Sequence, residues 1–467
     1  MAKPSAFRIL SVLDNRAQKK LLTYLQSKFF SNSKELAPLF KGWQSLKGKP
    51  LDKEMIFAKA KPQRKFNKRD WYLLVSRLQA ATESFLSIRH FEEDKAQQQL
   101  SLLRSLRELQ LPAFFERVFR QTKKTAKKEQ RAEARHLLWE YQLELEYYDY
   151  IASPKRGERT NLQEVTDKLD HFFMAEKLRH ACLAHSRWLA NQEEYSIRYL
   201  DAILADLEDR PELFKVPAIV MYASCYQAIA EGGEEEDFRR LRRVLEHFRD
   251  NFPAAEIRDV YLLAINFCIR AMNQGRPEFI AETQALYQES LAGGYLLEDG
   301  QLPSSTFTNI VALGLKLENY AGIATFIQTY AKDLPGPERE SVVYFNLARL
   351  YHAQEEYEAS LRAILQVDTK EPFLYLGAKS LQVRIFVELE EWDALDSLLD
   401  QLRVYLQRKS DLGYRGDSYR LLLHFCRRLR QLIPGDRAAR QQLRSEIVDA
   451  PSFAEKEWFL TRVLVDG

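Results

Sequence analysis

Apolar residues recur every three or four positions along most of the chain, the spacing that places side chains on one face of an α-helix. Near the N-terminus, Phe7, Leu10 and Leu13 begin one such stretch. A longer stretch near residues 67–91 places a set of apolar residues on one face: Trp71, Leu74, Val75, Leu78, Ala81 and Phe85. Proline and other turn-forming residues separate the stretches. The pattern predicts a series of helices.

A short motif recurs six times between about residues 160 and 410: an acidic or polar turn, an aromatic residue and an amphipathic stretch, as in NQEEYSIRYLDAIL and AQEEYEASLRAIL. The six aromatic residues are Tyr195, Phe238, Phe279, Tyr320, Tyr357 and Trp392. Their successive spacings are 43, 41, 41, 37 and 35 residues. A period of roughly 34 to 45 residues with two helices is typical of a helix-pair solenoid. We therefore expect Tyr357 and Trp392 to be mostly buried between successive helix pairs.

One copy of the repeat, VVYFNLARLYHAQEEYEASLRAILQVDTKEP, resembles the tetratricopeptide repeat family. The matching positions are the large residues Tyr344 and Tyr351, the large–small pair Leu347-Ala348, the central aromatic Tyr357, the small pair Ala359-Ser360 and the closing Pro372. The preceding copy keeps Phe307, Ile310, Tyr320 and Pro335 at the corresponding positions. The resemblance implies an all-α fold, a right-handed α-α superhelix in which the first helix of each pair lines a concave groove.

Carried over position by position, the resemblance assigns a set of residues to a partner-binding groove: Arg187, Phe345, Arg349, His352 and Arg384. Arginine and aromatic residues beside small polar ones suit a peptide or a segment that carries a carboxylate. The alternative is that each of these residues is an ordinary solvated helix residue. The strings KFFSNSKELAPLF, LDKEMIFAKAKP and AEKEWFL also resemble uncharacterised bacterial proteins that join a basic N-terminal helical module to such repeats. That second resemblance implies architecture and no function.

The composition agrees with a helical, cytoplasmic protein. The 467 residues are 46% hydrophobic and 29% charged, with 17 Gly and 16 Pro, which disfavours an all-β or a disordered chain. No stretch approaches the ~18 consecutive apolar residues of a membrane span, and we read no secretion signal near the N-terminus. Four widely spaced cysteines without a CxxC pair fit a reducing compartment. We predict three regions: a basic helical module at 1–130, helical repeats at 131–410 and a helical cap at 411–467.

The net charge of +3 conceals a strong asymmetry along the chain. Residues 1–135 hold 30 basic and 13 acidic residues, a balance of +17, which leaves −14 for the remainder. The densest basic stretch, named here the basic patch, contains Lys59, Lys61, Arg64, Lys65, Lys68 and Arg69. It is either a solvated surface, a surface that docks on acidic protein (including the acidic half of this chain), or a nucleic-acid contact. If the basic patch contacts nucleic acid, we expect Trp71, Tyr72 or Phe66 to be free to stack on bases.

Motifs that carry chemistry do not appear in the sequence. There is no GxxxxGK[ST], GxGxxG, HExxH or GxSxG string. His180, Cys182 and His185 are close in sequence, but the two histidines are five positions apart and do not share a helix face. Paired glutamates such as Glu355-Glu356 precede repeat aromatics, where they stabilise helix starts. We expect no catalytic residue, cofactor, metal, small-molecule substrate or membrane contact.

The sequence therefore predicts a non-enzymatic cytoplasmic scaffold or adaptor that binds a protein or peptide partner through the groove. The alternative is a nucleic-acid or ribonucleoprotein-associated factor that uses the basic N-terminal module.

Overall fold

In the computed structural model of the chain, every regular element of the described residues is a helix. The structure describes residues 5–31, 33–46, 50–129, 132–152, 159–191, 193–230, 233–409, 413–432, 436–451 and 453–465. These ranges contain 23 α-helices, four short 3-10 helices and no strand. None of the helices in them combines the length and the apolar composition needed to cross a bilayer. The predicted all-α class is confirmed.

The chain divides into two compact units. The first contains residues 1–180 and 197–222, and the second contains residues 181–196 and 223–467. The first eight helices belong to the first unit: α1 (Ser5–Val12), α2 (Asn15–Gln26), α3 (Leu36–Gln44), α4 (Lys53–Ala60), α5 (Lys68–Glu93), α6 (Lys95–Glu108), α7 (Pro112–Glu129) and α8 (Ala134–Ala152). Helix α9 (Leu162–Asn191) contributes residues to both units. Helix α10 (Leu200–Asp209) belongs to the first unit, and α11 (Pro217–Ile229) again contributes residues to both.

Helix starts in the first unit follow from capping residues. Asp14, Asp52, Asn67 and Asp94 each accept a hydrogen bond from a backbone amide in the first turn of the helix that follows. Such side chains satisfy amides that have no partner inside the helix. The amphipathic face predicted for residues 67–91 lies on α5, where Trp71, Leu74 and Leu78 are buried.

The second unit holds five of the six repeated sequence motifs, those of Phe238 to Trp392. Its remaining helices are α12 (Glu235–Phe248), α13 (Ala254–Asn273), α14 (Phe279–Ala292), α15 (Ser304–Lys316), α16 (Tyr320–Tyr330), α17 (Arg339–Ala353), α18 (Tyr357–Ile364), α19 (Pro372–Glu388), α20 (Trp392–Arg408), α21 (Gly413–Arg430), α22 (Arg437–Asp449) and α23 (Lys456–Val465). Consecutive helices pack in pairs, α13 with α14, α15 with α16, α17 with α18 and α19 with α20. Helix α17 also contacts both α15 and α19.

Small residues allow the two helices of a pair to approach closely. In the α17–α18 pair, Ala348 and Ser360 are both fully buried. The Ser360 hydroxyl donates a hydrogen bond of 2.7 Å to the carbonyl oxygen of Ala348. A larger side chain at either position would separate the helices. The small residues of the repeat therefore act as expected in this pair.

In three helix pairs, the turn before the second helix of the pair has the same backbone conformation. Glu318, Glu355 and Glu390 have φ of 55°, 62° and 58°, in the left-handed region. The aromatic residue two positions later is the first residue of its helix: Tyr320 in α16, Tyr357 in α18 and Trp392 in α20. A left-handed residue ends the first helix and turns the chain into the second.

Burial of the repeat aromatics varies more than expected. Phe238 and Phe279 are 2% exposed, whereas Tyr357 and Trp392 are only partly buried. Tyr195 is 49% exposed and lies outside any helix, so the repeat predicted around it does not form a helix at that residue. In its motif Arg198 takes the place that Ser360 has in α18. A guanidinium is costly to bury in such a close crossing.

Aromatic residues hold the C-terminal helices to the second unit. Phe425 in α21 packs against Phe453 and Phe459, with ring centroids 5.0 and 6.1 Å apart. Phe459, in α23, is fully buried. These rings belong to a hydrophobic core shared with α19 and α20. Phe453 and α23 are therefore packed against the rest of the unit.

Candidate functional site

Helices α17 and α19 each present candidate binding residues at helical spacing. Phe345, Arg349 and His352 lie on one face of α17, and Ser380 and Arg384 lie on one face of α19. Because α17 and α19 contact each other, the two faces meet. We name the group formed by Asn346, Arg349, His352, Ser380, Arg384 and Glu455 the arginine cluster.

Glu455 places its carboxylate between two donors of α19. Its Oε2 accepts a hydrogen bond of 2.9 Å from the guanidinium of Arg384, and its Oε1 accepts one of 3.2 Å from the Ser380 hydroxyl. Glu455 directly precedes α23 and has a left-handed backbone, with φ of 66°. The C-terminal segment thus brings a negative charge to the face of α19.

Arg349 is a partly buried cation with uncharged acceptors. Its guanidinium donates hydrogen bonds of 3.3 Å to the backbone carbonyl of Thr308 in α15 and to the side-chain oxygen of Asn346. It also lies 5.7 Å from the centre of the Phe345 ring. No carboxylate of the described residues lies within 4.0 Å of its nitrogen atoms. Burial lowers the pKa of Arg349, because the charged form is poorly solvated there.

His352 is neutral, and its ring N–H has no acceptor among the described residues. Burial, and next the nearby charge of Arg384, lower the pKa of His352 from 6.5 to about 3. Arg384 can only donate, so its contact of 3.4 Å with Nδ1 of His352 assigns the imidazole proton to Nε2. Both Nε2 of His352 and Nε of Arg384 are buried, and neither has a hydrogen-bond partner among the described residues.

Trp458 closes the cluster from the side of α23. Its indole N–H donates a hydrogen bond of 2.9 Å to Glu388. The guanidinium carbon of Arg384 lies 5.9 Å from the centre of the Trp458 ring, within the range of a cation–π contact. Arg384 is therefore held by the carboxylate of Glu455 and by the ring of Trp458.

The comparisons with known proteins assign no relative. No protein-family model matches the chain, and neither a curated protein nor a solved structure matches it.

Four of the five residues expected in a partner-binding groove lie together. Phe345 contacts Arg349, and His352 contacts Arg384 from the neighbouring helix, whereas Arg187 is exposed on α9 and belongs to neither pair. Sequence reasoning did not find Asn346 or Glu455. The string AEKEWFL contains Glu455, but nothing in its local pattern indicates a contact with α19.

The basic patch of the first unit is partly structural. Lys61 has only 12% of its side chain exposed and forms ion pairs with Glu35 at 3.4 Å and with Asp70 at 3.7 Å. Asp70 also pairs with Arg64 at 3.5 Å. The ammonium of Lys59 donates a hydrogen bond of 2.9 Å to the Ser45 hydroxyl. Lys61 therefore serves the fold and is not free to bind phosphate.

The remaining patch residues, Lys65, Lys68 and Arg69, are exposed. Of the three aromatic residues expected to be free for stacking, Tyr72 is 62% exposed. Trp71 is 1% exposed and stacks on Phe7 at 5.9 Å, and Phe66 is partly buried against Phe57. The expectation is therefore wrong for Trp71 and Phe66, because both rings belong to the core of the first unit.

The cysteines are buried. Cys182, Cys225, Cys268 and Cys426 are all buried and none of them forms a disulfide, and burial raises the pKa of Cys268 to about 12. The nearby His180 contacts Glu176 at 3.3 Å. In the part of the chain that the structure describes, no three His, Cys, Asp or Glu residues form a group that could hold a metal ion.

Proposed function

We propose that the chain is a non-enzymatic cytoplasmic scaffold that binds a partner protein through the concave face of a tetratricopeptide-like, right-handed helix-pair solenoid. The packing of α17 against α15, α18 and α19 supports this arrangement, because stacked pairs of that kind place their first helices side by side. The partner-binding face is then formed by α15, α17 and α19.

The observation that carries the proposal is the excess of positive charge in the arginine cluster. Arg349 and Arg384 face one carboxylate among the described residues, that of Glu455. A cation that is partly shielded from water and lacks a close carboxylate costs stability. Such groups concentrate at functional sites, where a ligand supplies the missing partner. The ligand that fits is a protein segment with an acidic side chain, because a guanidinium binds a carboxylate through two parallel hydrogen bonds.

The proposal is tested by comparing the proteins that full-length variants retain from cell extract. Arg349→Met and Arg384→Met remove the charge but keep an apolar stem. Arg362→Met is the matched control, because Arg362 is exposed on α18. We expect a partner that the wild type and the control retain and that both cluster variants lose. Equal retention by all four folded proteins would contradict the proposal.

A second candidate, nucleic-acid binding, is favoured by one observation in the first unit. Lys65, Lys68 and Arg69 are exposed close to Tyr72, which supplies cations and an accessible ring. Binding of this kind weakens steeply with salt, because each neutralised phosphate releases condensed counterions. Titration of the full chain against a short duplex and a short single strand at two salt concentrations tests it. The triple variant with Gln at these three basic positions should flatten the salt dependence.

A further inference from the structure

We propose that Ser380 and Arg384 form a carboxylate-binding site that Glu455 occupies as an internal ligand, and that an acidic side chain of the partner protein binds there by displacing the Glu455 side chain. The inference rests on the proposed function and adds its regulation: the C-terminal segment competes with the partner.

The two donors are arranged for a carboxylate rather than for a particular residue. Each oxygen of Glu455 receives one hydrogen bond, Oε1 from Ser380 and Oε2 from Arg384. Glu455 lies 75 and 71 positions away from these residues in sequence, so the contact is between distant parts of the chain. A carboxylate from another protein meets the same two donors in the same geometry.

Glu455 can leave this site without unfolding of α23. Phe453 and Phe459 anchor the segment in the hydrophobic core, and Trp458 is bonded separately to Glu388. The Glu455 side chain itself is 23% exposed, so a rotation about its side-chain bonds takes the carboxylate into solvent. The movement breaks two hydrogen bonds and leaves the packing of α23 in place.

An incoming acidic segment finds donors that Glu455 does not use. Nε2 of His352 and Nε of Arg384 are buried without partners among the described residues. Among the residues that the structure describes, the guanidinium of Arg349 has only the neutral acceptors Thr308 and Asn346. A buried polar atom without a partner carries a cost that a suitable ligand removes. A segment that reaches these donors therefore forms more hydrogen bonds at the site than the single carboxylate of Glu455 forms.

The site can be tested without a partner by chemical rescue of a variant that lacks the internal carboxylate. Glu455→Gly is the variant of choice, because glycine readily adopts the left-handed backbone found at this residue. The probe is sodium acetate, with sodium chloride at matched ionic strength as the reference. We expect acetate to raise the melting temperature of the full-length variant in a saturable way by about 2 °C, since a ligand that binds only the folded state stabilises it. The wild type should show no such rise.

Two further variants separate the possible explanations. Adding Arg384→Met to Glu455→Gly should abolish the rescue, because the main donor to the acetate is lost. If Glu455→Gly does not fold, Glu455→Ala is tested in its place. A folded variant whose melting temperature does not respond to acetate, or a response that survives Arg384→Met, would overturn the inference.

The competition has its own readout in the partner-retention experiment described above. Glu455→Gly should retain about 3- to 10-fold more partner than the wild type, because the internal competitor is absent. Unchanged or reduced retention overturns the inference, even where retention still depends on Arg349 and Arg384 and the proposed function stands. If acetate raises the melting temperature of Glu455→Gly but partner retention does not depend on Arg349 or Arg384, the result contradicts the proposed function instead.

Discussion

The guanidinium of Arg384 in α19 donates a hydrogen bond of 2.9 Å to the carboxylate of Glu455, although 71 positions separate the two residues. Arg384 is 26% exposed and Glu455 is 23% exposed, so the pair is partly shielded from water. An ion pair of this kind is worth more than one at an exposed surface. The contact links the C-terminal segment to the face on which the proposed binding site lies.

The strength of this contact can be measured with a double-mutant cycle of Arg384→Met and Glu455→Gln. We expect a coupling energy of about 1–3 kcal/mol in the free energy of unfolding, because the pair is a charge-assisted hydrogen bond in a partly buried place. Urea titrations of the wild type, the two single variants and the double variant give this value.

The control for the cycle is an exposed pair in the same unit. Arg239 and Glu235 form an ion pair one helical turn apart in α12, with 62% and 43% of their side chains exposed. Their coupling should stay below about 0.5 kcal/mol. Equal coupling energies in the two pairs would show that Arg384 and Glu455 interact no more strongly than an exposed ion pair.

His352 should make the stability of the second unit depend on pH. Its pKa is lowered from 6.5 to about 3 in the folded chain, first by burial and then by Arg384. The unfolded chain therefore binds the proton more tightly, so the stabilisation is complete above pH 6.5 and is lost as the pH falls toward 3. Between pH 7.5 and pH 5 the loss should reach about 2 kcal/mol.

The variant His352→Asn tests this assignment, because asparagine keeps an oxygen acceptor for Arg384 but does not titrate. Urea titrations at pH 5 and pH 7.5 should show a smaller fall in the free energy of unfolding for the variant than for the wild type. An equal fall in both proteins would place the pH dependence elsewhere.

The left-handed residue before α20 offers a stabilising substitution. Glu390 is exposed and has φ of 58°, a conformation that costs a non-glycine residue about 1–2 kcal/mol. Glycine avoids this cost but loses more entropy on folding, so Glu390→Gly should stabilise the protein by about 0.5 kcal/mol. In contrast, Gln401→Gly at an exposed position inside α20 should destabilise it by about 1 kcal/mol. Thermal unfolding of the two variants gives the sign of each change.

The basic patch should separate into structural and surface residues. Lys61→Gln should destabilise the protein by about 1 kcal/mol, because the ammonium is largely buried and pairs with Glu35 and Asp70. Replacing the exposed Lys65 and Lys68 by Gln should change the free energy of unfolding by less than about 0.5 kcal/mol. Similar destabilisation by the two kinds of change, measured by urea titration, would show that the exposed lysines also serve the fold.

Local pattern was sufficient to predict much of the fold. The recurring aromatic residues indicated helix starts at Phe279, Tyr320, Tyr357 and Trp392, and each is the first residue of a helix. Such features depend on neighbours a few positions away in sequence. The motif around Tyr195 looks the same but carries Arg198 where α18 has the small Ser360, and Tyr195 lies outside any helix, so there the prediction is wrong.

The candidate site could be predicted only in part. Helical spacing brought Phe345, Arg349 and His352 to one face of α17, and the repeat register added Arg384 on the neighbouring helix. The contact of Glu455 with α19 depends on how the C-terminal segment folds back, which no local pattern determines. The burial of Trp71 likewise depends on the position of Phe7 in a different helix.

The most direct test of the proposed binding face is site-specific photo-crosslinking in the full-length protein. A benzophenone amino acid replaces Phe345, which lies beside Arg349 on α17, or Leu365, which is 61% exposed at the end of α18. If the partner binds the face formed by α15, α17 and α19, irradiation should link it to the probe at residue 345 and not to the probe at residue 365. Crosslinks at residue 365 alone would contradict the proposed binding face.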